Sequence, residues 1–239
     1  MRKGDLTQHR RTCLKNTNDQ HWRKEHDDSS SDEDEQRQMT VAGQPIEETD
    51  DFKYLGSIVD KDAGLTKEIT ARITKAARAF QRLQPCLWRR PEIRLKTKLR
   101  VFQASVLSVL LYGAETWALH AAEITRLRTF YLQCLRRILR VTAYINHITN
   151  EEVLRCTEMP KVEKLLQRTR LWWLGHLVRM RDDRTPRQML FARARTQPSG
   201  LEKRWSDAVQ KDLKDNPFSN GRWLTLAKNR PSWRNAIHR

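Results

Sequence analysis

The stretch LRVFQASVLSVLLYGAETWAL, residues 99–119, is the most apolar in the chain and does most to limit its fold. A membrane span needs about 20 mainly apolar residues. Here Gln103 and two serines interrupt the run, KTKLR precedes it and Glu115 follows. The stretch therefore reads as a helix buried in a protein core, with no membrane partner. It is expected over Leu95–Tyr112, apolar at Leu99, Phe102, Val106, Val109 and Leu110, with Gly113 placed to stop it. A helix apolar on most sides must be surrounded, so other segments have to supply the rest of the core.

Those segments show helical periodicity. Ile69, Ile73, Ala76, Phe80 and Leu83 advance by 4, 3, 4 and 3 residues, the stripe of an amphipathic helix whose other faces carry Lys67, Arg72, Lys75, Arg78 and Arg82. Pro85 and Pro91 bracket CLWRR and should stop it. A further helix, about Ala121–Val141, has Leu127, Tyr131, Cys134 and Ile138 on one face, with Arg128, Arg136, Arg137 and Arg140 away from that face or at its margin. TNEE, residues 149–152, is a capping box in which Thr149 and Glu152 begin a short helix that Pro160 ends. The next helix, Lys161–Met180, is expected to turn Val162, Leu165, Leu166, Thr169, Trp172, Trp173, His176 and Met180 to the core. Gly175 falls in a row with cations, which leaves two readings open: close approach of a partner's backbone, or a tight helix crossing. Short helices come next around Arg187–Arg195, Glu202–Leu213 and Gly221–Asn229, with Trp205, Trp223 and Trp233 as their anchors.

Ahead of the helices the pattern differs. TVAGQPIEE reads as a short strand with a turn signal at Gly43–Pro45, and FKYLGSIV supplies aromatic and β-branched residues with strand alternation. A β-hairpin within residues 39–64 is expected. Two strands alone are marginal, so it must pack on something. Residues 1–38 are polar and include HDDSSSDEDEQRQ, whose like charges repel in any compact state. They read as a disordered acidic and polar leader.

The chain of 239 residues has a formal net charge of +17, unevenly spread. Residues 72–140 carry 15 Lys and Arg against 3 Asp and Glu, and residues 161–239 carry 19 against 7, whereas residues 1–71 are net acidic. Two basic blocks on helices attract polyanions, nucleic acid first among them. Lys75, Arg78, Arg82, Arg136, Arg137, Lys161, Lys164, Arg168 and Arg179 are the candidate contacts. Because most tryptophans fall at core spacing, stacking on bases is the minor expectation.

Catalytic signatures are missing: no phosphate-binding glycine loop, dinucleotide fingerprint, H-E-x-x-H or nucleophile elbow occurs. His9, His21, His26, His120, His147, His176 and His238 are not at ligand spacing, and His176 reads as a packing residue. Asp50–Asp51 and Asp182–Asp183 lie in expected turns. Cys13, Cys86, Cys134 and Cys156 form no C-x-x-C pair, which suits a reducing compartment and gives no zinc site. The first twenty residues have no apolar core of a secretory signal, so the expected location is nucleus or cytoplasm, not secreted. No catalytic residue, metal site or cofactor is expected.

FKYLGSIVDKDAG, EITARITKAARAFQRL, TKLRVFQASVLSVLLYGAETWAL, LRRILRVTAYINHITNEEVL, RTRLWWLGHLVRMRDDRTPRQMLF, KRWSDAVQKDL and LAKNRPSWRNAI succeed one another over about residues 40–239. In that order they resemble the C-terminal part of the endonuclease–reverse transcriptase encoded by non-LTR (LINE-type) retrotransposons. The resemblance implies that Phe52, Tyr54, Leu55 and Gly56 form a primer-grip-like hairpin. It also implies a thumb-like helical bundle closing on a template–primer duplex of RNA or DNA, and a post-thumb extension from about residue 149. The family's Y/F-x-D-D metal-binding aspartates and its endonuclease residues have no counterpart here, so magnesium would belong to a palm outside this sequence.

The expectation is thus a mainly α-helical chain: leader 1–38, primer-grip-like hairpin 39–64, thumb-like bundle 65–145 and basic helical extension 146–239. Its expected function is nonspecific nucleic-acid binding by part of a reverse transcriptase, without enzymatic activity of its own. The alternatives are a degenerate element remnant or partial gene model, and a helical protein-interaction module. Self-association through apolar surface left uncovered on the 101–112 helix is a further expectation.

Overall fold

The computed structural model describes residues 40–41, 44–45, 49–61, 64–141, 148–191, 205–215 and 222–238. The expected leader lies outside them. Contacts divide the chain into two units at Glu48/Thr49. In the first, β1 (Thr40–Val41) pairs antiparallel with β2 (Gln44–Pro45).

The second unit begins with another hairpin. β3 (Asp51–Tyr54) pairs with β4 (Ser57–Asp60), in the register Asp51↔Asp60, Phe52↔Val59, Lys53↔Ile58 and Tyr54↔Ser57. The expected single hairpin is therefore two, and FKYLGSIV folds in its own middle. Leu55 and Gly56 both take positive φ, 47° and 85°, the two-residue turn whose twist matches that of paired strands. Strand alternation stops at Tyr54 for that reason.

α1 (Thr66–Arg82) packs against this hairpin and buries Ile69, Ala76 and Phe80 as its stripe requires. Arg72, placed by its spacing outside that stripe, is buried as well. Its Nε lies 2.6 Å from Glu68 Oε1, and its Nη2 donates to Gly56 O at 2.8 Å and Ser57 Oγ at 3.0 Å. A buried guanidinium is tolerated only when paired and bonded in this way. α1 ends at Arg82, ahead of Pro85 as expected. After α1 the chain widens into a π-helical turn, Gln84–Trp88, with proline in its first turn where the missing N–H costs nothing. This turn swings Trp88 inward, stacked on Phe80 at 4.9 Å with its Nε1 donating to Phe80 O at 2.8 Å.

The central apolar stretch forms α2 (Leu95–Phe102), a π-helical turn (Gln103–Leu107) and α3 (Ser108–Leu110) in one path. Phe102, Val106 and Leu110 are fully buried. Gly113, with φ 78°, ends the path as expected. On the side left uncovered, Gln103, Ala104, Ser108 and Tyr112 are exposed. After a 3₁₀ turn (Ala114–Thr116), α4 (Ala121–Leu139) turns Leu127, Tyr131, Cys134 and Ile138 inward, as its spacing predicts.

α5 (Asn150–Thr157) starts on Thr149, whose hydroxyl accepts from Glu152 N–H at 3.2 Å. α6 (Val162–Arg179) is the spine of the C-terminal part of the chain. Its first half, through Val162 and Leu166, completes the core built by α1 to α5, so that core runs through the expected division at residues 145 and 146. Its second half, through Leu171, Leu174 and Val178, opens a second core shared with the later helices. These are α7 (Thr185–Phe191), α8 (Trp205–Lys214), α9 (Trp223–Lys228) and α10 (Arg230–His238). Trp233 is buried in that second core, and Trp205 and Trp223 pack against it, as anchors of the small helices should.

Candidate nucleic-acid interface

The four residues expected to form a primer grip stand together on the β3–β4 hairpin. Phe52, Tyr54 and Leu55 are 61%, 60% and 76% exposed, and Val59 beside them is exposed too. Behind the turn, Gly56 O accepts from Arg72 and from Lys75 Nζ at 3.2 Å, and Leu55 O accepts from the Tyr112 hydroxyl at 3.0 Å. At the open end Asp51 faces Asp60, a like-charge pair that would push the strands apart. Lys67 sits between them, 3.4 Å from Asp51 and 2.9 Å from Asp60. The two carboxylates hold its ammonium above its ordinary pKa, the Asp60 hydrogen bond contributing most. α1 thus clamps both ends of the hairpin and leaves Phe52, Tyr54, Leu55 and Val59 outward.

The nine candidate cations fall into two kinds. Lys75, Arg136, Arg168 and Arg179 each give an N–H to a backbone carbonyl: Gly56, Ile148, His238 and Ala227 respectively. Arg136 also donates to Asn150 Oδ1 at 2.8 Å, fastening α4 to the start of α5. Arg78, Arg82, Arg137 and Lys161 are exposed, and Lys164 is half-buried.

α6 presents the expected face only at its start, where Val162 and Leu166 are buried. Trp172 is 51% exposed, His176 is exposed and Trp173 half-buried, while Arg170, Leu171, Leu174, Gly175 and Val178 are inside. The buried arc is turned by about a third of a revolution from the one that apolar spacing suggests. Two interactions cause this. Arg170 makes a buried bidentate pair with Asp212 on α8, at 2.7 and 3.0 Å. Trp233 on α10 lies so close to Gly175 that a Cβ there would fall 2.2 Å from its Nε1, which donates to Leu171 O at 2.9 Å. Of the two readings of Gly175, the tight helix crossing is the one observed.

The rotation opens a cleft of about 500 Å³ between α6 and α10, lined by Trp172, Arg179, Trp233, Arg230, Arg234 and His238 among others. Burial, and then the charge of Arg230, lowers the pKa of the Arg179 guanidinium. Spacing alone hid Trp172, Arg230 and Arg234. The readable clue was the i, i+4, i+8 row of Arg230, Arg234 and His238 facing a helix with its own cations.

Among the described residues no group of three or more His, Cys, Asp or Glu is gathered to hold a metal ion. Among them, too, no helix is long and apolar enough to cross a membrane.

The chain is 24% identical over 204 residues, 81% of its length, to a Caenorhabditis elegans protein named as an uncharacterized transposon-derived protein, of which 72% is covered. The likeness supports a transposon-related origin. No family model matches the chain, and no solved structure does.

Proposed function

We propose that this chain is the primer-grip, thumb and post-thumb region of a non-LTR retrotransposon reverse transcriptase, and that it holds a template–primer duplex without adding nucleotides by itself. The observation that carries the reading is the β3–β4 hairpin, clasped from behind by Arg72, Lys75 and Tyr112 with Phe52, Tyr54 and Leu55 outward. A hairpin held that firmly is suited to press on a strand end. It leads into a helical bundle and then cationic helices, the order found in the enzymes that the sequence resembles. Exposed Lys and Arg supply affinity by neutralising phosphates and releasing counterions. In the test, affinity for a primer–template duplex falls linearly with salt on a log–log plot, and primers stay unextended with dNTPs and magnesium. A flat plot removes the binding role; extension removes the inert one.

Exposed Phe52, Tyr54, Leu55, Val59 and Tyr112 favour a second reading, in which this face meets protein. Self-association that survives high salt and is lost in Phe52→Ser supports that reading. Association that salt dissolves opposes it.

A further inference from the structure

The cleft between α6 and α10 combines features that a solvated basic surface does not. One wall is a row on α6: Trp172 and Arg179, with His176 beside the tryptophan. The Trp172 and His176 rings lie nearly parallel, 11° apart with centroids at 6.5 Å, and Trp173 tilts against the same imidazole at 5.1 Å. An indole half out of water gives up the burial that usually holds a tryptophan in place, and here it lines the opening of a cleft.

The facing wall is a row on α10. Arg230, Arg234 and His238 recur at every fourth residue, all exposed and all lining the cleft. Among the described residues that line it there is no carboxylate side chain. Arg179 and Arg230 are close enough for the charge of one to depress the pKa of the other. Arg168, whose Nη2 reaches His238 O, has a buried Nε without a hydrogen-bond partner. Cations gathered without an acid stay mutually repelled until an anion enters. The floor is rigid, because Trp233 is held by Leu171 O and pressed on Gly175. The volume lies within the range of small-ligand sites.

We propose that this cleft binds single-stranded nucleic acid, with one base stacked on Trp172 and the neighbouring phosphates on Arg230 and Arg234. The inference rests on the nucleic-acid-binding reading and deepens it by naming a strand form. A base inside a duplex already has both faces covered, so the indole has something to gain only from an unpaired one. An aromatic plate flanked by cations is how proteins hold single strands with little sequence preference.

The test uses the full chain and labelled oligoadenylates of about a dozen nucleotides, in DNA and RNA form, beside a blunt duplex and an abasic strand of equal length. Trp172→Ala is expected to weaken binding of the base-bearing strands about tenfold. Duplex and abasic strand should bind as before, and Trp172→Phe should restore most of the loss. Arg230→Gln with Arg234→Gln should lower the salt slope for the single strand by about 1.4. Trp172, Arg230 and Arg234 are exposed, and unchanged thermal melting of each variant verifies the fold. If wild-type chain binds duplex but Trp172→Ala leaves single-strand affinity unchanged, or lowers every ligand equally, the cleft assignment is wrong while the general reading stands. If wild-type chain binds neither form, both fall.

Discussion

Glu68 and Arg72 show how much of one region can hang on a single pair. The carboxylate accepts from Arg72 Nε and from Ile58 N–H at 2.7 Å, so it joins α1 to the middle of β4. Arg72 in turn holds the hairpin turn and lies 4.4 Å from the centre of the Tyr112 ring. Removing one partner leaves the other charge buried and unpaired, which typically costs about 3–5 kcal/mol. Glu68→Ala should lower the urea midpoint accordingly; a change within about 0.5 kcal/mol would show the pair to be solvated. Cys134 gives a second test at this scale. Burial, partly offset by Arg137, pushes its thiol up to about 12. In native protein, Cys86 and Cys156, both exposed, should react with a thiol reagent near pH 8 while Cys134 stays unmodified until unfolding. Because the folded chain keeps this proton and the unfolded chain loses it near 9, its contribution to stability is full below pH 9 and declines toward 12.

At the scale of elements, the turn of the β3–β4 hairpin and the α6–α10 crossing are the most sensitive points. Gly56→Ala should cost about 1–2 kcal/mol although nothing lies near the new methyl, because φ there is 85°. Gly175→Ala should cost about 1–3 kcal/mol through overpacking against Trp233, measured by denaturant unfolding. Unchanged stability in Gly175→Ala would mean the crossing is looser than described. The contrast between helices shows what periodicity can reveal. In α4 and the α2–α3 path aliphatic and aromatic side chains dominate the buried face, and in α1 the apolar stripe still marks the core although Glu68 and Arg72 are buried beside it. In α6 a buried ion pair and a glycine contact outweigh two tryptophans, and no residue pattern within the helix announces Asp212 or Trp233, each more than thirty positions away. The hairpin was half legible: its aromatic and β-branched residues pointed to strands, but the turn at Leu55–Gly56 puts a leucine where asparagine or glycine is usual.

Across the whole molecule, charge is used in two ways that composition cannot separate. Lys67, Arg72, Lys75 and Arg136 hold elements together, whereas Arg78, Arg82 and Arg137 are exposed to solvent. That division makes the nucleic-acid account open to direct measurement. The salt dependence of binding to a primer–template duplex is determined for wild type, for the Arg78→Gln, Arg82→Gln, Arg137→Gln triple variant, and for Lys75→Gln with Arg136→Gln. The account predicts a log–log slope reduced by about three in the triple variant with its melting temperature kept, and lost stability with a retained slope in the pair. A triple variant whose slope and affinity equal those of wild type would contradict it.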